Sequence, residues 1–488
     1  MKKLFFFIAG ISLLFACSKD EAPTLSDDNP QNETLACGKV FMVQPTKGSD
    51  ITYQLKQTFA DAIAAGPGSV VQLPEGDFEL GFIEIHNFFG KFKGAGKDKT
   101  VITALEGLDI GPLVSLNLNT FLIKFVGGDV YMCDMTVRTP PGVLTTDPNE
   151  WWIEGLVSFS AKNREYASPD DYIRAVVNNI DFIAGNEPVS GWKSNCNQGL
   201  MAGFDSRYTT IPGGWPLSPT DITITNCSFE NFDIYGALIA YTNGGKIIAG
   251  NKNNGNTFIN NSTSAYGYGG SLAFWHNTNM EVAAISNNFI DPAGARFGIE
   301  ATSAPWPDYL QQVPQTKATV FNIEQNIFNI TGGIGGVLVN DQRRVIYSDA
   351  LPMLVQVKNN KFNMSDGAFT GMGCFNNAGM VIRNNKFIGS GSFGVRVMRG
   401  PSSVFNENGL MLGNNFSSTI YSVTTVLLNN GSRNWTIVGG NLGERVNNLG
   451  DNNLITGFNV NSFEGEFGQT IVDNLGEMRE AIKTLKGH

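Results

Sequence analysis

Four charged residues stand in or just after short apolar segments that recur along the chain: Glu300, Asp341, Arg396 and Arg399. A base and a cation facing one substrate would suit proton abstraction beside a carboxylate. Two carboxyls about 5–9 Å apart would suit hydrolysis of an acetal. Tyr241, Trp275 and Trp306 offer aromatic faces that would suit stacking on a flat, partly apolar ring such as a pyranose. Only 3 His are present, one of them the terminal His488, so a His-rich metal site is excluded by count. No metal and no cofactor is expected.

The elements that position these residues are repeats. An Asn followed by Phe recurs, as in Asn226-Cys227-Ser228-Phe229, Asn256-Thr257-Phe258, Asn287-Asn288-Phe289, Asn326-Ile327-Phe328, Asn359-Asn360-Lys361-Phe362 and Asn384-Asn385-Lys386-Phe387. Alternating apolar residues precede it (Ile222, Ile224; Val355, Val357), and a period of two means strand. A second segment follows each Phe, usually opening on glycine: Gly155-Leu156, Gly199-Leu200, Gly236-Ala237, Gly270-Ser271, Gly298-Ile299, Gly336-Val337, Gly371-Met372 and Gly394-Val395. The spacing runs from 23 residues (Gly371 to Gly394) to 44 (Gly155 to Gly199).

Aligned on glycine, two columns hold no charge and are expected to face inward. Ser158, Ala273, Ala301 and Val397 stand in one of them. The column between holds Val157, Leu272, Glu300 and Arg396, admits charge, and is expected to face outward. Short strands stacked with Asn at a corner read as a parallel β-helix, one rung every ~4.8 Å. Identical Asn side chains would hydrogen-bond up the axis, as in cross-β ladders. Stacked Phe would account for 34 Phe among 488 residues.

The pattern resembles the right-handed parallel β-helix of the pectate-lyase-like superfamily, over roughly residues 50–460. Leu55, Phe59, Ala62 and Ile63 form a helical stripe similar to that superfamily's capping helix, followed by Pro74-Glu75-Gly76-Asp77-Phe78. Gly94-Ala95-Gly96-Lys97 invites a phosphate-loop reading, but Asp98 stands where that loop needs Ser or Thr. The resemblance implies all-β architecture with an N-terminal capping helix and a groove for elongated polysaccharide. Glu300, Asp341 and Arg396 are then the catalytic candidates, and Tyr241, Trp275, Trp306 and Arg399 the substrate-binding ones. The superfamily's paired-Asp and His-Gly-His signatures are missing, so activity does not carry over with the fold. Polysaccharide binding leads. A lyase or hydrolase with a non-standard site, and a structural or adhesive surface protein, are the alternatives.

At the N-terminus, Met1-Lys2-Lys3 precedes an apolar run ending Leu14-Phe15-Ala16-Cys17. This resembles a lipoprotein signal, which implies a lipidated Cys17 and a membrane partner. Ser18-Lys19-Asp20-Glu21 resembles the surface-export signal of Bacteroidetes lipoproteins. The expected organisation is signal 1–16, lipidated Cys and flexible tether 17–48, β-helix 49–465, and a C-terminal amphipathic helix 466–488. A net charge of −10 argues against a nucleic-acid partner. The five Cys after Cys17 are odd in number and form no CxxC, so buried free thiols are expected.

Overall fold

The computed structural model describes residues 38–45, 49–105, 121–140, 153–160, 172–185, 196–203, 218–261, 270–291, 297–303, 315–332, 334–341, 351–365, 367–377, 379–398, 406–438 and 446–456. Over these the chain is a right-handed parallel β-helix, with thirty-one strands joined in one continuous ladder. Each coil supplies three strands. The first sheet holds the segments near the recurrent glycines, such as Gly270–Trp275, Phe297–Thr302 and Gly335–Asn340. The second holds the alternating segments, such as Glu281–Ile285 and Val320–Glu324. The third holds the Phe segments, such as Asn288–Asp291 and Ile327–Thr331. These strands pair in parallel with their counterparts one coil on.

One stack of rings fills the core. Phe182, Phe229, Phe258, Phe289, Phe328, Phe362, Phe387 and Phe416 stack face to face, with centroids 4.4–4.9 Å apart. That spacing matches the rung, so position two of each third-sheet strand lands on itself. The glycines of the first sheet make room for these rings. A Cβ on Gly298 would lie 2.7 Å from the Phe328 ring, and one on Gly336 2.7 Å from the Phe362 ring.

The asparagines divide into two columns with different work. Asn256, Asn287, Asn326, Asn360, Asn385 and Asn414 form a buried ladder, each side-chain amide donating to the Oδ1 of the next at 2.9–3.0 Å. Each amide also caps a backbone carbonyl, as Asn385 does for Val357 at 2.9 Å. Ile180 and Cys227 occupy the ladder position in the earlier coils. The residue just before is left-handed: Asn179, Asn226, Ser286, Gln325, Asn359 and Asn384 have φ of 53–57°. Asn179 and Asn226 thus serve the turn, where Asn tolerates that backbone, and not the inner ladder.

Stacking identical positions would put like charges one rung apart, which is destabilising. One outer column of the second sheet avoids this by alternating sign: Asp129, Arg174, Asp221, Lys246 and Glu281 are in register.

The helix Thr52–Ala65 closes the N-terminal end, burying Leu55, Phe59 and Ala62. Phe59 meets Phe88, Phe92 and Phe125 edge-on at 5.1–5.9 Å. Ile63 lies on the exposed side of the helix. Strand Val40–Met42 pairs with Val70–Gln72, so the first rung begins inside the segment expected to be tether. Lys97 pairs with Asp181 at 2.9 Å, a structural role that leaves no phosphate loop. Cys133, Cys196, Cys227 and Cys374 are buried free thiols. Burial pushes the Cys133 and Cys227 thiols up to about 12, which keeps them protonated and inert at neutral pH. Cys17, Cys37 and the expected C-terminal helix 466–488 lie outside the described residues.

Candidate functional site

The first sheet carries the chemistry-bearing residues on its outward face. Its register corrects two rows of the glycine alignment. Ser158 pairs with Lys124 and Met201, so it faces outward and Val157 inward. Ala273 pairs with Leu238 and Glu300, so it faces outward and Leu272 joins the core. A slip of one residue exchanges the faces of a strand. The outward column therefore runs Lys124, Ser158, Met201, Leu238, Ala273, Glu300, Leu338, Gly373, Arg396, Leu427. Beside it runs a second: Ala240, Trp275, Thr302, Asn340, Phe375, Met398.

Over the early coils this face is covered. Phe121, Met201, Tyr235, Leu238, Tyr241 and Ala273 form an apolar cluster outside the barrel, against which Trp275 packs. Tyr235 meets Trp275 edge-on at 5.4 Å, and the Tyr241 ring lies 4.8 Å from His276. Tyr241 is only 7% exposed, so it offers no open stacking face, contrary to the sequence expectation. Burial also raises its phenol pKa. Trp275 remains half-buried at the border of the cluster.

The expected catalytic trio does not assemble. Asp341 is fully buried and accepts from Ser303 Oγ at 2.8 Å and from the Met353 N–H at 2.9 Å. It ties a corner of the coil and is not a rim carboxylate. Glu300 is 6% exposed and accepts from the Thr302 hydroxyl at 3.2 Å. Arg396 stands three rungs from Glu300 in the same column, about 14 Å away. No base–cation pair and no carboxyl pair arises from these three. Trp306 and Arg399 lie outside the described residues.

Two features were not anticipated. At the edge of the first sheet, Gln198 Nε2 donates to Glu154 Oε1 at 2.6 Å. Burial raises the Glu154 carboxyl, and the Gln198 and Asn197 donors offset part of that rise. Glu154 sits just before the glycine used for alignment, so nothing in the pattern marked it. The other is Phe375, half-buried in the same column as Trp275. Correct register would have revealed it.

Along that column Trp275 and Phe375 enclose Thr302 and Asn340. Asn340 Oδ1 accepts from Asn376 at 3.2 Å. The arrangement spans three rungs, about 14 Å, with half-buried rings at both ends and polar groups between. Thr302 is buried and its hydroxyl is held by Glu300, so the two rings can stack a ligand laid parallel to the axis and the half-buried Asn340 can hydrogen-bond it.

No family model matches the chain, and no curated protein does. Solved structures do. The A-module of mannuronan C-5 epimerase AlgE6 from Azotobacter vinelandii aligns over 84% of this chain and 94% of that module, at 14% identity and TM-score 0.52. The Dettilon tailspike protein aligns over 85% of this chain and 68% of its own, at 11% identity and TM-score 0.47. The catalytic domain of a GH87 α-1,3-glucanase in complex with nigerose aligns over 83% and 68%, at 12% identity and TM-score 0.43. At such identities the epimerase likeness speaks for the fold, which is the parallel β-helix.

Proposed function

We propose that this protein is a surface lipoprotein that binds a polysaccharide along the outward face of its first sheet. The column Trp275–Thr302–Asn340–Phe375 carries the reading. A pyranose has an apolar face for the rings and hydroxyls for Asn340. A polymer parallel to the solenoid meets them in sequence. The fold shared with a mannuronan epimerase module supports a carbohydrate as the ligand class. The Leu14-Phe15-Ala16-Cys17 signal and the Ser18-Lys19-Asp20-Glu21 run support a lipid anchor and an outer-membrane position facing the exterior. The buried, hydrogen-bonded state of Asp341 favours binding over cleavage.

A panel of neutral and acidic polysaccharides, scored for affinity, tests this. Trp275→Ala and Phe375→Ala are each expected to weaken binding about 10-fold, since a stacked ring contributes on the order of 1 kcal/mol. The pair together is expected to lose about 100-fold, with the circular dichroism unchanged. No binding by the wild type to any polymer would favour a structural or adhesive role. Full binding by the double variant would move the ligand to another face.

A further inference from the structure

Charges that fall in register between paired strands are of opposite sign almost throughout the described residues. Glu84 meets Lys124, Glu324 meets Lys358 and Glu407 meets Arg433, beside the alternating column from Asp129 to Glu281. Two register pairs break the rule, and both lie at one corner. Lys358 stacks on Arg383 at the end of the second sheet, and Lys361 stacks on Lys386 at the start of the third. The two rows are Lys358-Asn359-Asn360-Lys361 and Arg383-Asn384-Asn385-Lys386, one rung or about 4.8 Å apart. Asn360 and Asn385 belong to the buried ladder, which holds the rows in register. Like charges stacked this way destabilise a sheet. Glu324 offsets one of them, pairing with Lys358 at 2.8 Å. Lys361, Arg383 and Lys386 form no ion pair with any described residue.

The neighbouring surface is apolar rather than acidic. The outward column of the third sheet runs Ser228, Thr257, Asn288, Ile327, Lys361, Lys386, Asn415, without an acid. Ile327, one rung before Lys361, is exposed, and so is Ile290, diagonal to it on the rung before that. Lys361 and Lys386 are exposed as well. The chain as a whole carries −10, so this corner is a local reversal of sign.

We propose that this corner and the adjoining third-sheet face rest on an anionic lipid surface, the membrane that holds the lipid anchor. The inference rests on the lipoprotein reading above and deepens it, by fixing which side of the solenoid faces the membrane. Exposed lysines on flexible stems meet headgroup phosphates as point charges. Exposed isoleucines beside them are stabilised at the headgroup–acyl boundary, which a hydrated polyanion does not offer. The combination favours a lipid surface over a soluble polyanion. The first sheet is a different face of every coil, so this contact leaves the proposed polysaccharide site open.

The test is co-sedimentation of the full chain with vesicles of phosphatidylcholine, alone or with phosphatidylglycerol. The wild type is expected to prefer the anionic vesicles about 100-fold, from three unpaired cations at about 5-fold each, and to lose most of that preference in high salt. Lys361→Gln with Lys386→Gln should weaken binding to the anionic vesicles about 25-fold and leave phosphatidylcholine binding as it was. That pair of substitutions relieves the stacked repulsion, so the urea midpoint should not fall, and lost binding is then not lost fold. Lys56→Gln with Lys252→Gln removes two exposed lysines elsewhere and should leave the preference intact. Ile290→Ser with Ile327→Ser should weaken binding to both kinds of vesicle alike. A preference that survives the loss of Lys361 and Lys386, or that the Lys56 and Lys252 pair abolishes equally, overturns the docking face. So does binding to dextran sulfate that is tighter than to the vesicles and lost with the same two lysines, which would assign the corner to a soluble polyanion. The anchor is read separately, from the mass of the chain extracted from membranes. An unmodified Cys17 would remove the lipoprotein reading, while the vesicle result would still decide the face.

Discussion

Replacing Asn385 by leucine should destabilise the protein by about 2–6 kcal/mol, because it orphans two buried backbone groups at about 1–3 kcal/mol each. The Val357 carbonyl loses the Asn385 amide, and the Asn360 N–H loses the Asn385 Oδ1. Leucine has nearly the same shape as asparagine, so the loss reports the polar ladder rather than a void. The neighbouring Asn384 provides the contrast. Its φ of 53° is the left-handed turn, which glycine adopts freely. Asn384→Gly should therefore change stability by about 1 kcal/mol or less. Urea unfolding of both variants against the wild type measures the difference. Equal stability for Asn385→Leu and the wild type would mean that the ladder does not hold the corner.

Phe328→Ala is expected to cost about 3–5 kcal/mol. Phe328 is fully buried, with Phe289 and Phe362 each 4.8 Å away. Truncation removes ring contacts on both sides and leaves a cavity that the backbone cannot close, because the rung spacing is set by the ladders above and below. Gly298, which makes room for the ring, would then face the void. A solenoid couples mainly neighbouring coils, so the loosening should be local. Hydrogen exchange is expected to quicken in the strands around residues 297–302, 327–331 and 361–365, while the coils beneath the helix Thr52–Ala65 keep their protection. A loss below 1 kcal/mol would show that the stack is dispensable.

Most of the fold was legible because a solenoid writes its register into the sequence. Phe and Asn recur at fixed offsets, since each must land on its own kind one coil away. The glycines misled because glycine serves two purposes at adjacent positions. Gly298 and Gly336 make room for the core rings Phe328 and Phe362. Gly155 lies instead under the ring of Phe121, on the outer face, and Gly270 lies against the Glu300 Cβ. Aligning all of them as one column shifted two strands by one residue and hid the partnership of Trp275 with Thr302. Adjacent asparagines concealed a similar division between ladder and turn.

The site was less legible for a different reason. Facing outward is a local property that alternation reveals, whereas being exposed depends on what else covers the sheet. Tyr241 and Glu300 face outward and are nevertheless buried. Asp341 stood among the catalytic candidates, yet its partner Met353 is twelve residues further along the chain. Arg396 stands out as a charge in the sequence, but its place against the Phe369 and Phe393 rings is visible only in three dimensions.

The most direct measurement is a crystal structure of the protein with an oligosaccharide from the best-binding polymer. The sugar chain is expected to run parallel to the solenoid axis on the first sheet, over Trp275, Thr302, Asn340 and Phe375. A ligand seated on the second or third sheet, or crossing the axis away from those four residues, would contradict the proposed binding face.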